Sequence, residues 1–598
     1  MPPRLIRRIA VVATLSAAVF TIPIAGAPQQ AARQRGNNQR FLVVARTAAD
    51  VEALRAEVAT AGGTVVSDLQ QIDTLVVSGS DALRNRLRTS AFAAGVATDH
   101  VIRLIDPAHA QEMFNGVAAG RHAPFEASRR RRAIQGDPAF SLPGLMWNIN
   151  RIDAPEAWRT TLGSKAVKVG VADTGLDFTH SELKDRVVDV VDFTTTEDPP
   201  ICKTIFGFSD ADLAAAFGGP EKTDWNGHGS WIGGNIGAAL DTQGVNGIAP
   251  RVGLVALKIS QWCGAAFDSE IIAAFLYAAD HGIDVVNISF GGYLDRSDPD
   301  QDLAYTQYLA AVRYARQHGT TIVAAAGNEH ARIGAGGLVL SHGSLTIPAV
   351  PNCSDDDSCP ELFDPFGLYE VPGGIPGVID VAATNNVVNA SAPACAPGTS
   401  VGDFPVCKPA SDPHQAKGMG RENQLAYYSN YGPRIDVAAP GGARKFNLPG
   451  FDRGGTPGFP YTDDDGFNVW QAFSTTSNWA IDIPCFMFTG GGFPADQCYS
   501  TIQGTSMAAP HAAAVVALIA SRFPFARHRP ALLREWLRLT ATDANNRTQP
   551  LSATDMSGGD LTGGSCPTGY CHLDGAAISN REAYGAGVIN ARMAVDPF

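Results

Sequence analysis

Two patterns of hydrophobic and polar positions divide the chain into a small front unit and a larger body. In the front unit, at about residues 40–105, the run FLVVA predicts a strand at 41–45, and apolar positions at helical spacing predict a helix at 48–61. Residues 64–79 predict two more strands, residues 81–93 a second helix, and the run VATDHVIRLI a last strand. This order predicts a small α+β (ferredoxin-like) domain.

Buried strands alternate with helical patterns from about residue 150 onward. Continuous apolar runs predict the strands, and apolar positions three and four residues apart predict the helices. The strands lie at 167–173, 254–259, 284–290 and 320–327, and the helices at 228–240, 268–281 and 302–318. Because strands joined through helices form parallel sheets, the body is predicted to be α/β, a doubly wound, mostly parallel sheet with helices on both faces.

Long segments rich in Gly, Pro and Asp interrupt this alternation. They lie at about 331–376, 385–425 and 441–500. We interpret them as loop-rich surface insertions in a body that spans 135–598. Ahead of the body, the polar stretch 106–140 contains four consecutive arginines from Arg129 to Arg132. Such a run suits proteolytic nicking, although a solvated linker has the same composition.

The composition is that of a globular protein, with 45% of the 598 residues hydrophobic and 18% charged. This length exceeds one ordinary domain, so two folding units with extensions are expected. The net charge of −13 is unevenly spread, because residues 1–134 hold 17 Arg, no Lys and 10 acidic residues and carry +7. The acidic remainder argues against nucleic acid as a partner and would attract the basic front part.

The first 27 residues have the pattern of a removable export signal. Three arginines precede an apolar run at 9–24, and Ala25-Gly26-Ala27 supplies a small-x-small cleavage pattern. Because the run is short for a spanning helix, we predict a signal peptide at 1–27, secretion to the extracellular space, and no membrane association after signal removal.

The ten cysteines all lie at or after Cys202, which agrees with an exported chain that forms disulfides. Local pairing would join four neighbouring pairs and leave Cys202 and Cys263, although spacing alone does not fix the connectivity. The neighbouring pairs are Cys353/Cys359, Cys395/Cys407, Cys485/Cys498 and Cys566/Cys571. Zinc is the alternative, but Cys566 and Cys571 lack a second pair with ligand spacing.

Three polar side chains occupy positions that suit catalysis. Asp173 closes a predicted strand in VADTGLD, His228 stands between glycines in NGHGSWIGG, and Ser506 precedes an Ala- and Val-rich run in GTSMAAPH. Taken singly, they are also an ordinary turn aspartate, loop histidine and helix N-cap serine. Together they supply what acyl transfer needs, because a serine nucleophile requires an imidazole to take its proton and a carboxylate to orient that imidazole.

The oxyanion of such a reaction needs hydrogen-bond donors. Asn328 follows the predicted strand 320–327, at the end of a parallel sheet where sites form, and its amide donates without ionising. An Asn-containing turn is the alternative. The helix after Ser506 would add free N–H groups and a partial positive charge.

Five ordered stretches resemble the subtilisin family of serine proteases (subtilases, peptidase S8): VADTGLDFTHSEL, NGHGSWIGG, VVNISFGG, IVAAAGNEH and GTSMAAPHAAAVVALI. The order Asp, His, Ser is the one found in subtilisin, and YGAGVINARMAV resembles the closing segment of the family. The resemblance covers roughly 145–598 and implies a subtilisin-like fold. It makes Asp173 the acid, His228 the base, Ser506 the nucleophile and Asn328 the oxyanion donor.

The resemblance also implies substrate contacts and a maturation route. Ser289-Phe290-Gly291 resembles the edge segment that pairs with extended substrate backbone. Glu329 matches a position near the primary specificity pocket, where a carboxylate would weakly favour basic side chains. The front unit resembles the inhibitory propeptide of the family, so residues 28–134 are expected to help folding, inhibit the enzyme and then be cut off.

The chemistry of such a site requires no cofactor, but calcium is common in the family. Glu182 lies where many relatives have a carboxylate ligand, and Asp463, Asp464 and Asp465 form a second acidic stretch, although acidic loops are more often merely solvated. The expected partners are protein or peptide substrates and the chain's own propeptide, and a monomer is expected.

The sequence therefore predicts a secreted serine endopeptidase that acts through an acyl-enzyme intermediate. The alternative is a non-catalytic exported binding or adhesion protein on the same scaffold, which would be expected to lack a triad residue. An esterase of the α/β-hydrolase class is disfavoured, since that class has a Gly-x-Ser-x-Gly elbow followed by its acid and histidine, whereas Asp173 and His228 precede Ser506.

Overall fold

The computed structural model of the chain describes most of the front unit and of the body. The described residues are 39–103, 125–126, 139, 145–194, 200–341, 365–384, 425–426, 428–442, 472–489, 492–542 and 579–597. The predicted signal peptide, the arginine run and the acidic stretch 463–465 lie outside them. Within these ranges, no helix has the length and apolar character that crossing a bilayer requires.

The front unit is a four-stranded antiparallel sheet with two helices on one face. Its elements are β1 (Gln39–Ala45), α1 (Val51–Thr60), β2 (Thr64–Leu69), β3 (Thr74–Gly79), α2 (Asp81–Arg88) and β4 (Ala93–Thr98), in the sheet order β2-β3-β1-β4. Alternate residues of β1 point to opposite faces, so Phe41 and Val43 pack under the helices while Leu42 packs against the body. The predicted small α+β unit is confirmed.

The body is built on one seven-stranded sheet in which every neighbouring pair is parallel. In the order β16-β15-β13-β11-β7-β9-β8, its strands are β16 (Val437–Pro440), β15 (Ile379–Thr384), β13 (Thr321–Ala325), β11 (Val285–Ile288), β7 (Lys168–Asp173), β9 (Gly253–Lys258) and β8 (Val187–Asp192). The predicted α/β sheet is confirmed. The sequence pattern missed β8, β15 and β16. The edge strand β8 keeps its side chains half-exposed or exposed and mixes charged with apolar residues, and β15 and β16 are short strands that lie between the predicted insertions.

Short strands pair outside the main sheet. They are β5 (Val101–Arg103) with β10 (Ala265–Phe267), β6 (Phe125–Glu126) with β18 (Phe488–Thr489), β12 (Gly292–Leu294) with β14 (Tyr369–Val371), and β17 (Ala472–Thr475) with β19 (Tyr499–Ile502). The last predicted strand of the front unit is therefore divided into β4 and β5. The chain leaves the front sheet at Asp99, which pairs with Arg40 and accepts a hydrogen bond from Ser269 of the body.

Helices cover both faces of the main sheet. They are α3 (Trp147–Arg151), α4 (Ala154–Ala157), α5 (Ile201–Phe206), α6 (Asp210–Phe217), α7 (His228–Gly237), α8 (Asp268–Asp280), α9 (Pro299–Gln317), α10 (Thr505–Arg522), α11 (Pro530–Leu539), α12 (Asn580–Tyr584) and α13 (Ala591–Val595). Helices α8 and α9 share one face with the front unit, and α7 and α10 lie on the other. Because its side chains are small, α10 runs buried through the centre of the body.

The third insertion differs from the surface segment predicted for it. In its described parts, Phe473, Phe488 and Tyr499 are fully buried and their rings pack together. Aromatic side chains of this size contribute substantially to a core. Because the insertion is rich in Gly and Asp, its sequence did not indicate that these aromatic residues belong to the core.

Two predicted disulfides fall within the described residues, and both are formed. Cys485–Cys498 closes a short loop in the third insertion, and Cys202–Cys263 ties α5 to the segment that follows β9. The other three predicted pairs lie outside the described residues.

Candidate active site

The ends of three elements bring Asp173, His228 and Ser506 to one edge of the sheet. Asp173 ends β7, His228 begins α7, and Ser506 is the second residue of α10. All three side chains are buried, Asp173 completely. They lie where parallel strands end at their carboxyl termini, which is the usual place for a site in such sheets.

A hydrogen bond of 2.7 Å joins His228 Nδ1 to Asp173 Oδ1. Because a carboxylate accepts, Nδ1 carries the proton in the neutral ring, and Nε2 keeps the lone pair that a general base needs. The backbone N–H of Thr174 donates to the same Asp173 oxygen at 2.8 Å. The pair therefore has the geometry of a base and the acid that orients it.

The electrostatic surroundings of His228 favour its protonated form. Burial alone would lower the pKa of His228, but the negative charges of Asp173, Asp224 and Asp482 outweigh burial and raise the pKa above its usual value. A base with a raised pKa takes a proton from a hydroxyl more readily, at the cost of being protonated in mildly acidic solution.

Ser506 is held at the start of α10 by Ser289. Its Oγ donates to the Ser289 carbonyl oxygen at 3.1 Å, and Ser289 Oγ donates to the Ser506 carbonyl oxygen at 2.9 Å. Among the described residues, no hydrogen bond joins Ser506 Oγ to His228. Proton transfer between the two residues therefore requires the Ser506 hydroxyl to turn from Ser289 toward the imidazole.

Asn328 lies beside this helix start with its carboxamide oriented. Its Oδ1 accepts from both the backbone N–H and the hydroxyl of Thr505, each at 2.9 Å. Since an N–H can only donate, the accepting atom is the oxygen, and the NH₂ end remains for another acceptor. Together with the Ser506 N–H, which has no acceptor inside the first helical turn, this end suits an oxyanion.

The segment predicted to pair with substrate lies against the same residues. Besides the Ser289 contact with Ser506, the ring of Phe290 packs edge-on against His228 with centroids 6.3 Å apart. A side chain at Gly291 would come within 3.1 Å of the Val371 carbonyl oxygen, so glycine permits this close approach. The structure thus places the predicted substrate segment next to Ser506 and His228.

Glu329, the predicted specificity residue, takes part in a polar cluster next to Asn328. One carboxylate oxygen accepts hydrogen bonds from the hydroxyl of Tyr293 and from Asn430 Nδ2. Burial raises the pKa of Glu329 despite these donors. This carboxyl group is therefore fixed in place close to the oxyanion donor.

Sequence reasoning missed a second set of residues that hold the triad loops. Thr174 Oγ1 donates to Asp224 Oδ1 at 2.9 Å and accepts from Gly229 N–H at 3.0 Å. The other oxygen of Asp224 accepts from Ser230 N–H at 2.7 Å in the first turn of α7. The sequence contained one signal for this role: Asp224 lies four residues before His228 in DWNGHG, and acidic residues are favoured near helix N-termini.

A buried lysine, Lys258, also holds the loop after Asp173 and the loop before His228. Lys258 ends β9 directly opposite Asp173, and its Nζ lies 2.8 Å from Asp210 Oδ2. The same Nζ donates to the carbonyl oxygens of Thr174 and Thr223. Burial raises the pKa of Asp210 to about 6, against the opposing effect of Lys258. One ammonium group thus joins the loop after Asp173 to the loop before His228.

The third insertion is hydrogen-bonded to the loop that carries His228. Asp482 accepts a hydrogen bond from Asn226 Nδ2 at 2.8 Å, and Asn226 Oδ1 accepts from the backbone N–H of His228 at 3.1 Å. Thr476 Oγ1 donates to the Gly227 carbonyl oxygen at 2.8 Å. The position of the histidine loop therefore depends on a segment almost 250 residues later in the chain, at Thr476.

Glu182, the predicted calcium ligand, is buried. Its Oε1 accepts hydrogen bonds from Val245 N–H at 3.2 Å and from the hydroxyl of Tyr499 at 3.1 Å. Two donor hydrogens therefore lie against an oxygen that a cation would need, so this oxygen does not fit calcium. No group of three or more His, Cys, Asp or Glu side chains suited to a metal occurs within the described ranges.

The chain belongs to the subtilase family (Peptidase S8), whose family profile matches residues 164–555. Fervidolysin from Fervidobacterium pennivorans is 25% identical over 453 residues, covering 74% of this chain and 47% of fervidolysin. The major intracellular serine protease of Bacillus subtilis is 30% identical over 184 residues, covering 30% of this chain and 49% of that protein. This chain therefore spans about half the length of these relatives.

A solved structure has the same fold over nearly the whole chain. It is the epidermin leader peptide processing serine protease from Staphylococcus aureus, with a TM-score of 0.55 and 17% sequence identity. The match covers 94% of this chain and 98% of that one.

Proposed function

We propose that this protein is a secreted serine endopeptidase that hydrolyses peptide bonds through Asp173, His228 and Ser506. The observation that carries the proposal is the 2.7 Å hydrogen bond between His228 and Asp173, formed at the sheet edge where Ser506 lies in the first turn of a buried helix. The serine protease names of the relatives add support. We also propose that its substrates are peptides or proteins.

In the proposed reaction, His228 Nε2 takes the proton of Ser506 Oγ while that oxygen bonds to the carbon of the scissile carbonyl. The resulting oxyanion accepts hydrogen bonds from Asn328 and from the Ser506 N–H. His228 then gives its proton to the leaving amine as the C–N bond breaks. Water attacks the acyl-enzyme by the same steps and restores the Ser506 hydroxyl.

The front unit is proposed to be an intramolecular inhibitor, within a precursor made of a signal peptide at 1–27, a propeptide at 28–134 and the catalytic body. Its packing supports this role, because β5 adds to β10 as an antiparallel strand, a common mode of peptide binding. Arg40 donates to Ser269 Oγ at 2.8 Å, and Arg84 donates to Asp300 at 2.7 Å. Arginines of the front unit thus pair with acidic residues of the body, Arg40 with Glu270 and Arg84 with Asp300.

The test replaces the nucleophile. Ser506→Ala should give a folded precursor that keeps its front unit, does not digest casein and does not react with a fluorophosphonate probe. Ser521→Ala is the matched control, because Ser521 lies on the same helix and its hydroxyl donates to the Ala517 carbonyl oxygen at 2.7 Å. Equal digestion by Ser506→Ala and the parent would refute the proposal, and a folded, mature parent that the probe does not label would favour the non-catalytic alternative.

Secretion and calcium binding are tested by separate measurements. N-terminal sequencing of protein recovered from culture medium would define the signal and propeptide cuts. Metal analysis and thermal unfolding with and without a chelator would test whether the protein binds calcium, since the Oε1 atom of the predicted ligand Glu182 already accepts two protein donors.

A further inference from the structure

Helices α5 and α6 form a segment, residues 201–217, that is fixed to the chain just after β9. The Cys202–Cys263 disulfide joins its first helix to that part of the body. Between the two helices, the ring of Phe208 stacks on Trp262 with centroids 4.3 Å apart, and Trp262 Nε1 donates to the Phe208 carbonyl oxygen at 2.9 Å. A covalent bond, a ring stack and a hydrogen bond therefore hold the α5–α6 segment on two consecutive residues of the body.

Asp210 is the buried carboxylate that the α5–α6 segment presents to the body. Its Oδ1 accepts from the backbone N–H of Trp262 at 2.8 Å, and its Oδ2 lies 2.8 Å from Lys258 Nζ. Asp210 is the first residue of α6, and a capping box formed by Ser209 and Asp212 fixes this helix start. The two oxygens of one carboxylate thus meet two different parts of the body.

The first contact leads to Asp173. Lys258 Nζ donates to the carbonyl oxygen of Thr174, whose own N–H donates to Asp173 Oδ1 at 2.8 Å. The same Nζ donates to the carbonyl oxygen of Thr223 at 3.3 Å. Because a buried ammonium group needs a compensating negative charge, Asp210 helps to keep Lys258 ionised and its Nζ on these carbonyl oxygens.

The second contact leads to His228. The carbonyl oxygen of Trp262 accepts from Asn226 Nδ2 at 2.6 Å, and Asn226 Oδ1 accepts from the backbone N–H of His228 at 3.1 Å. Asp210 holds the N–H of Trp262, and Asn226 binds the carbonyl of the same residue. The backbone of Trp262 therefore links Asp210 to the loop that carries His228.

We propose that Asp210 is a positioning residue that sets the alignment of His228 with Asp173 through these two routes. The Cys202–Cys263 disulfide keeps Asp210 in place by holding the α5–α6 segment on the body. This inference rests on the proposed peptidase function. Because the two routes end on different members of the triad, a shift of Asp210 changes their relative position, and small misalignments slow catalysis strongly. Asp210 acts through other residues and takes no part in bond breaking.

The experiment compares mature Asp210→Asn with the parent. Asparagine has nearly the same shape and still offers an oxygen to the Trp262 N–H, but it lacks the charge that faces Lys258. At pH 8 the parent carboxylate is ionised, since burial raises the pKa of Asp210 only to about 6. Active sites are counted by fluorophosphonate labelling to completion, and kcat per labelled site and KM are measured on one peptide.

The kcat per site of Asp210→Asn should fall about tenfold while KM stays within about threefold of the parental value. The rate constant of fluorophosphonate labelling should fall by a similar factor, because the probe reacts with the same activated Ser506. A merely structural role would reduce the number of labelled sites and leave kcat per site unchanged. A parental kcat per site, or a change in KM alone, would therefore overturn the positioning role.

Asp212→Asn is the matched control, because it removes a charge from the same helix and alters its capping box without touching Lys258. The Asp212 carboxylate pairs with the half-exposed Lys203 at 3.1 Å, so kcat per site should stay parental. A fall equal to that of Asp210→Asn would show that any weakening of α6 has this effect, which would also overturn the inference.

A second variant replaces both Cys202 and Cys263 by alanine, which removes the disulfide and leaves every charge in place. It should also lower kcat per site, by several-fold, and it decides the question if Asp210→Asn does not fold. A parental value would show that the disulfide is not needed to hold Asp210. A parent that neither hydrolyses the peptide nor reacts with the probe would instead mean that the peptidase proposal itself has failed.

Discussion

Ser289 and Ser506 hold each other through two reciprocal hydrogen bonds, from Ser289 Oγ to the Ser506 carbonyl oxygen at 2.9 Å and from Ser506 Oγ to the Ser289 carbonyl oxygen at 3.1 Å. The first bond fixes the start of α10 to the end of β11. The second engages the Ser506 hydroxyl with the Ser289 carbonyl oxygen and not with His228. Ser289 thus holds the start of α10 through its side chain and the Ser506 hydroxyl through its backbone.

Ser289→Ala should separate these two effects. It removes the bond to the Ser506 carbonyl oxygen, which should cost about 1 kcal/mol of unfolding free energy, but leaves the Ser289 carbonyl oxygen in place. We expect kcat to fall about tenfold, because the start of α10 is less well positioned. Denaturant unfolding and steady-state kinetics measure the two effects, with Ser521→Ala as the control. Unchanged kcat and stability would show that the side-chain bond has no positioning role.

Asp482→Asn should move the acidic limb of the pH–activity profile. Because Asp482 contributes to the raised pKa of His228, and activity requires neutral His228, removing this charge should shift the midpoint to lower pH. A shift of a few tenths of a pH unit in kcat/KM is expected, since the asparagine oxygen still accepts from Asn226. Asp496→Asn changes the same charge at an exposed position of the same insertion and should not move the limb. A shift to higher pH, or an equal shift in both variants, would contradict the assignment.

The sequence was sufficient to predict that Asp173, His228 and Ser506 lie at one edge of the sheet, because each residue ends or begins a regular element in a short, distinctive segment. The end of a parallel strand fixes Asp173, and the starts of two helices fix His228 and Ser506. The carboxyl ends of parallel strands share one edge, so the convergence of these residues follows from topology.

The supporting residues were not predictable in the same way, because their partners come from segments whose spatial relation depends on the whole fold. Lys258 meets Asp210 only through the pairing of β9 with β7 and the placement of α6. Asp482 meets Asn226 only through the placement of the third insertion beside the His228 loop. In the sequence, both residues stand inside short apolar stretches, where a polar residue has many ordinary explanations.

Lys258→Met should destabilise the folded protein strongly. The lysine side chain is fully buried, and its removal leaves the Asp210 carboxylate buried without its cation. Breaking such a pair typically costs about 3–5 kcal/mol, and here it also releases the loops that carry Asp173 and Asp224. Denaturant unfolding of the Ser506→Ala precursor measures this cost without self-digestion.

Lys203→Met is the matched control for that measurement. Lys203 pairs with Asp212 at 3.1 Å, but half of its side chain is exposed, so its loss should cost under about 1 kcal/mol. Replacing both Lys258 and Asp210 by apolar residues should recover part of the lost stability, since the unpaired charge is then gone. Equal losses for Lys258→Met and Lys203→Met would show that the buried pair has no special role.

His100 should make retention of the front unit dependent on pH. Its Nδ1 lies 3.2 Å from Asp268 and its Nε2 4.0 Å from Asp300, both on the body. Burial alone would lower the pKa of His100, but the charges of Asp268, Asp300 and Asp99 outweigh burial and raise it. The neighbouring cations are Arg40, which pairs with Asp99, and Arg84 and Arg88, which pair with Asp300.

The raised pKa fixes the sign of this dependence. Once the front unit is released, the pKa of His100 returns to about 6.5. Protonation of His100 therefore stabilises the complex fully below about pH 6.5. This stabilisation is lost as the pH rises through the raised pKa that His100 has in the complex. Affinity should therefore fall with rising pH, by about tenfold for each unit that separates the two pKa values. Calorimetric titration of the isolated 28–134 segment into the Ser506→Ala body from pH 6 to pH 9 measures this fall without interference from catalysis. The slope should flatten in His100→Gln, and an affinity that rises with pH in the parent would show that His100 does not bind as the cation.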